Sequence, residues 1–212
     1  MASTATAVAT LTADLRDRIL NGELAPGTRL VERELVESHD VARVTVRSAL
    51  QRLAGDGLVT TEPHRGARVA TLDPDTLHDL FALRTALEVE AARIGLAERP
   101  QQLDAELGEA VDALARICSA KRVVWKRVVH GHEEVHRALV DAARSPRISA
   151  VHQSLAGELR LFVVALRPIW PPEDMITHHR RLRRELQTEG PEALRRHLSE
   201  GEHAVSGQYR LR

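Results

Sequence analysis

Residues 42–66, ARVTVRSALQRLAGDGLVTTEPHRG, constrain the fold of this chain more than any other stretch. Val46, Ala49, Leu50 and Leu53 fall at i, i+3, i+4 and i+7, the spacing that puts apolar side chains on one buried face of an α-helix. Arg43, Arg47 and Gln51 recur every four residues on another face, with Arg52 beside them. Gly57 is expected to stop the helix, because glycine enters the left-handed turn after a C-terminus at the least steric cost. Residues 58–61 and 67–71 then read as short strands around a Pro63-His64-Arg65-Gly66 turn. A helix carrying a row of guanidinium groups, followed by a small basic hairpin, is the layout of a winged helix-turn-helix. It points to double-stranded DNA as a partner.

The preceding residues supply the helices such a unit needs. Val8, Leu11, Leu15 and Ile19 mark a first helix closed by Asn21-Gly22, Pro26-Gly27 makes a turn, and a short helix is expected from Glu32 to about Ser38. Asp73 and Pro74 have the chemistry of an N-cap and a first helical position, so residues 1–72 and 73–212 read as two domains. Beyond residue 73 only helical patterns appear, at about 75–97, 101–119, 122–143, 147–167, 173–188 and 191–208. Prolines punctuate most of the breaks. Ile148, Val151, Leu155, Phe162 and Leu166 form the buried stripe expected of the fourth. Six helices with short connections predict an antiparallel bundle, making the chain mainly α.

Composition narrows the class. Thirty basic residues balance thirty acidic ones overall, but residues 43–68 carry five arginines against two acids, a local excess suited to phosphate. The single Cys118 cannot form an internal disulfide, and no apolar run approaches the roughly 20 residues of a membrane span. The first ten residues lack the basic start and apolar core of a signal peptide, so a cytoplasmic location is expected.

Eight of the eleven histidines follow residue 129, and several occupy core positions. Trp125, Val129, His132, His136, Leu139 and Ala143 share one stripe; Met175, His179, Leu182 and Leu186 share another; His197 lies beside Leu194, Leu198 and Val205. Imidazoles from three helices in one interior need partners, because an unpaired buried polar group is costly. A divalent metal would supply them together, and an all-imidazole set favours zinc, nickel or cobalt over magnesium or calcium. Individually satisfied core histidines are the alternative. His203 could replace His197, whereas His130, His152 and His178 read as surface residues. Arg84 also occupies a core-facing position, in the stripe Leu77, Leu80, Arg84, Leu87, Ala91 and Ile94. A buried guanidinium must be paired. Glu88, one turn on, could do this, or the carboxylate of a small effector could. A metal-dependent enzyme on a His-rich bundle is a competing reading, with Glu133 as the near candidate for a general base.

The run LRDRILNGELAPGTRLVERELVESHDVARVTVRSALQRLAGDGLVTTEPHRGARVATL resembles the N-terminal domain of GntR-type bacterial transcription regulators of the FadR subfamily. The likeness rests on a PG turn, an ERxL helix, a VxRxxVRxAL recognition helix, DGLV and an HRGxxV wing. It implies a homodimer on a palindromic operator, more often as a repressor. Arg33, Arg43, Thr45 and Arg47 are implied to contact DNA, with His64, Arg65 and Gly66 reaching the minor groove. Ala42, Val44, Thr45 and Ser48 stand where the family usually has serine, threonine, proline and glutamate. The C-terminal part is similar to the subfamily's FCD-type effector domain, which usually has Asp and His four apart on one helix and a His on each of the last two. By that resemblance His132 takes the Asp position, His136 and His179 match His positions, and His197 lies one turn from the last, near which Gly201 falls. Arg84 is implied to meet a small carboxylate metabolite that also reaches the metal.

Overall fold

The structure is a computed structural model that describes residues 4–62 and 66–209. The chain divides into two compact units, Met1–Leu72 and Asp73–Arg212.

The first unit contains α1 (Thr4–Leu20), β1 (Arg29–Leu30), α2 (Glu32–His39), α3 (Arg43–Gly55), β2 (Val59–Glu62) and β3 (Gly66–Val69). Val46, Ala49, Leu50 and Leu53 of α3 are buried, as are Leu11, Leu15 and Ile19 of α1, which packs on α3. Asp40, at φ 49°, makes the left-handed turn between α2 and α3, a conformation that Asp tolerates better than most residues. Gly57, at φ 71°, turns the chain out of α3 into β2. The wing has three antiparallel strands in the order β1-β3-β2, with Arg29 opposite Arg68 and Thr60 opposite Arg68 from the other side. The sequence pattern missed β1 because two residues are too few to show an alternation. It is placed by the Gly27 turn, where the Gly27 N–H donates to the Val69 carbonyl and the Val69 N–H to the Thr28 carbonyl, both at 2.9 Å.

The second unit is built from helices: α4 (Pro74–Glu98), α5 (Pro100–Cys118), α6 (Trp125–Asp141), α7 (Pro146–Ser154), α8 (Ala156–Leu166), α9 (Pro172–Glu189) and α10 (Pro191–Tyr209). Asp73 caps α4 by accepting a hydrogen bond from the Thr76 N–H at 2.8 Å, with Pro74 in the first turn. α4 packs against α6 and α10, α5 against α6 and α9, and α9 against α10. Gly95 permits a close approach, since a Cβ there would lie 2.6 Å from the Ala142 Cβ.

Two expectations are corrected. The helix anticipated over 147–167 is two helices. The Leu155 N–H reaches back to the His152 carbonyl at 3.1 Å, a tightened turn that breaks the straight run. Its stripe therefore fails over α7, where Val151 is exposed and His152 turns inward. On α4 Leu77, Leu80, Arg84 and Ala91 of the expected stripe are buried, but the stripe departs from expectation at two positions. Glu88 and Gly95 are buried, while Leu87 and Ile94 are only half-buried. No helix among the described residues is long and apolar enough to cross a membrane.

Candidate functional site

α3 holds its apolar side inward, so its other side is free. Arg43 and Arg47 are exposed and both bond to one carboxylate of α2, each through Nε to Glu32 at 3.1 Å. Arg33, also on α2, is exposed, with Glu37 4.0 Å away. Thr45 does not belong to this surface. It is 3% exposed, and its neighbour Val44 takes the outward place at 63%. The reason is the helical repeat, which turns position 45 toward the interior with Val46 and Ala49. The Thr45 side chain, expected to contact DNA, is therefore buried away from the surface that could do so. Gly66 opens β3 at φ 80°, whereas His64 and Arg65 lie outside the described residues.

The second unit brings together three imidazoles from two helices, α6 and α9. His132 and His136, one turn apart on α6, have ring centroids 4.5 Å apart, and those of His179 on α9 lie 4.9 and 5.7 Å from them. Ring nitrogens of these three fall within 4.8 Å of one another. Two of the rings are oriented from behind. His136 Nδ1 bonds to Glu88 Oε2 at 2.7 Å, and His179 Nδ1 donates to the Met175 carbonyl at 2.7 Å. Their Nε2 atoms are buried and have no hydrogen-bond partner. A proton held on Nδ1 leaves the Nε2 lone pair available, the arrangement found behind metal-ligating histidines. Burial, followed by the neighbouring charges, pushes His132 and His179 well below the usual histidine range and His136 down to about 4. All three are thus neutral near pH 7, the form that binds metal.

Behind the rings lies a buried ionic hub. Glu88 accepts from Arg84 Nε at 2.7 Å, from His136 Nδ1, and from His152 Nε2 on α7 at 3.0 Å. Burial alone would raise the Glu88 pKa. The Arg84 charge and His136, with the bonds from His136 and His152, outweigh it and hold the carboxyl well below the usual range. Arg84 also sits 5.2 Å from the centroid of Phe81 and 5.9 Å from that of Phe162, and its Nη2 has no partner. A cavity of about 270 Å³ opens beside this hub, bounded by Arg84, His132, His136, His152, Gln153 and Arg160 among others.

Residues 7–69 match the family described as bacterial regulatory proteins of the gntR family, and residues 79–201 match the FCD domain. The chain belongs to the GntR family, in its FCD class. The HTH-type transcriptional regulator BphR of Paraburkholderia xenovorans (strain LB400) is 32% identical over 138 residues, which cover 62% of this chain and 55% of the relative. The Nta operon transcriptional regulator of Aminobacter aminovorans is 29% identical over 135 residues, covering 64% and 63%. The chain thus spans about half to two thirds of the length of these curated relatives. Among solved structures, a GntR transcriptional regulator from Rhodococcus sp. RHA1 superposes with a TM-score of 0.74 at 25% identity, covering 94% of this chain and 97% of that one. E. coli McbR/YncC shares the fold, with a TM-score of 0.67 at 21% identity over 99% and 100%.

This GntR regulator departs from its sequence reading at several histidines. His197 is buried against the cluster, its ring centroid 4.9 Å from that of His179 and 5.4 Å from that of His136, but it is not part of the converging triplet. It also stacks on His178, with centroids 4.0 Å apart, and its Nδ1 is buried without a hydrogen-bond partner. His203 is exposed and bonds back to Ser199, which removes it as the substitute ligand. At Gly201, an added Cβ would lie 3.2 Å from the Phe162 ring, so the space near the family's last His position is bounded by an aromatic side chain. His152 and His178 are not surface residues: the first is drawn in by Glu88, and the second is covered by Trp170 and His197. His130 is exposed, as its position suggested. The intrahelical Arg84–Glu88 pair does form, yet Arg84 still faces the cavity. Glu133 is bound by Arg160 at 2.8 and 3.0 Å. Although burial opposes it, the bonds from His130 and Arg160 hold the Glu133 pKa at about 2, far too low for a general base working near neutrality. That fits a family of transcriptional regulators rather than enzymes.

The sequence missed the hub, not its components. Glu88 was visible only as the i+4 partner of Arg84; that α6 and α7 would bring two more donors to it has no local signature.

Proposed function

We propose that this GntR regulator binds a palindromic operator as a homodimer, through Arg33, Arg43 and Arg47 with the His64-Arg65-Gly66 wing. Binding is modulated by a small carboxylate held between Arg84 and a divalent metal. The observation that carries the effector reading is the unpartnered Nη2 of buried Arg84 beside a cavity shared with His132 and His136. A carboxylate would complete the guanidinium's hydrogen bonds and offer an oxygen to a metal on the three imidazoles. At about 270 Å³ the cavity lies just below the roughly 300–1,000 Å³ usual for ligand sites, which favours an acid of few carbons. An effector that binds the DNA-competent and DNA-incompetent dimers unequally shifts their populations. His132, His136 and His179 would hold the ion, and an all-nitrogen donor set suits zinc or nickel. When bound, such an ion supplies a Lewis-acid anchor for the ligand oxygen. Repression is the expected consequence of operator binding.

Fluorescence anisotropy of a labelled palindrome from the DNA upstream of the gene tests the first half. Salt-sensitive binding that a random duplex competes for poorly is expected, weakening steeply as salt rises. Equal binding to palindrome and random duplex, there and after selection from a random library, rejects it. Adding small carboxylates one at a time to the bound complex then tests the second half.

The metal assignment has its own test. After zinc loading and dialysis, wild type is expected to retain about one zinc per chain and to lose thermal stability with EDTA. His179→Ala should retain little zinc, and its melting temperature should no longer respond to EDTA. Zinc content equal to wild type in that variant would remove His179 from the ligand set.

A further inference from the structure

Val44 is one of three large apolar side chains left exposed among the described residues, with Leu83 and Val151, and at 63% it is the most exposed of them. It stands in the first turn of α3, directly after Arg43 and one helical turn before Arg47. Neither propensity nor packing accounts for it. A β-branched residue loses rotamer freedom in a helix, and at this exposure it gains little from burial. Its neighbours on that surface, Arg43, Arg47 and Gln51, are polar. An apolar group set rigidly among hydrogen-bond donors matches a surface that alternates in the same way. The major-groove edge of DNA is such a surface, with guanine O6 and N7 as acceptors and the thymine C5-methyl as its apolar feature.

We propose that Val44 packs on the C5-methyl group of a thymine in each operator half-site, beside the base gripped by Arg43 or Arg47. The inference rests on the operator-reading role proposed above. Because Val44 is stiff at χ1, its γ-methyls are presented in one orientation, so it serves as a specificity contact rather than a general apolar cushion.

The test uses the full chain and a duplex that wild type selects from a random library. Thymidine is replaced by 2′-deoxyuridine at one position and its symmetry mate at a time, which removes the methyl and leaves base pairing intact. At one thymine per half-site, uracil should weaken wild-type binding about tenfold, the effect expected of two lost methyl contacts. Val44→Ala should bind the thymine duplex about tenfold more weakly than wild type and be indifferent to uracil at that position. Val44→Thr, which keeps a γ-methyl, should retain the discrimination. Thermal melting checks that the variants are folded. Wild type that is insensitive to every uracil, or Val44→Ala that keeps wild-type sensitivity, overturns the role of Val44 while leaving operator reading in place. Failure of wild type to select any duplex over random DNA overturns both.

Discussion

Replacing Glu88 with leucine is expected to destabilise the second unit by about 3–5 kcal/mol, because it strands the buried guanidinium of Arg84 without a counter-charge. Glu88 has no exposed surface, and Arg84 is 1% exposed, so water cannot take the carboxylate's place. Three donors lose their acceptor together: Arg84 Nε, His136 Nδ1 and His152 Nε2. For a domain of this size the melting temperature should fall by about 10 °C or more. Zinc affinity should fall as well, by roughly 10- to 100-fold, because His136 loses the partner that fixes its tautomer and ring angle. Adding Arg84→Met to Glu88→Leu should recover part of the stability, since it removes the stranded charge but leaves His136 Nδ1 and His152 Nε2 without their acceptor. It should not recover zinc affinity. A Glu88→Leu variant that melts within a degree or two of wild type would show that the hub is not the electrostatic keystone of the bundle.

Arg47→Ala should reduce binding to the selected operator by about 30-fold or more while leaving weak binding to random DNA largely unchanged. The size follows from a bidentate guanine contact, roughly 1–3 kcal/mol of discrimination, lost in both half-sites of a dimer. In the unbound protein Arg47 and Arg43 share Glu32, and that pair must open before either arginine reaches a base. Exposed ion pairs contribute only about 0–1 kcal/mol, so the exchange favours the base. Arg47→Lys should restore little, because an ammonium cannot grip O6 and N7 as a planar fork does. Melting should be unaffected, as Arg47 is exposed. An unchanged ratio of operator to random-DNA affinity would remove Arg47 from the reading surface.

How far each feature was legible depends on the range of the interactions behind it. The inward face of α3, the Gly57 turn and the Asp73 cap all follow from spacing or from bonds within a few residues. The positions of His132, His136 and His179 were visible too, since each interrupts an otherwise apolar stripe at helical spacing. Assignments that needed one residue more or less of rotation failed. Position 45 turned in and 44 out, and at one turn of α4 Glu88 rather than Leu87 faced the interior, although Leu77, Leu80, Arg84 and Ala91 lie where their spacing put them.

The amino-acid order by itself therefore determined the winged unit, the presence of a helical bundle, its proline-marked breaks, and the core-facing histidines of α6, α9 and α10. Tertiary packing decided the rest. It paired β1 with β3, broke the 147–167 helix at Leu155, drew His152 to Glu88, and stacked His197 on His178 beside the triplet. The physical reason is that a buried polar side chain takes its place from its partners, and in this bundle those partners lie 48 and 64 residues away along the chain, as from Glu88 to His136 and His152. Periodicity reports which side of a helix is apolar; it cannot report which distant donor will meet a carboxylate there.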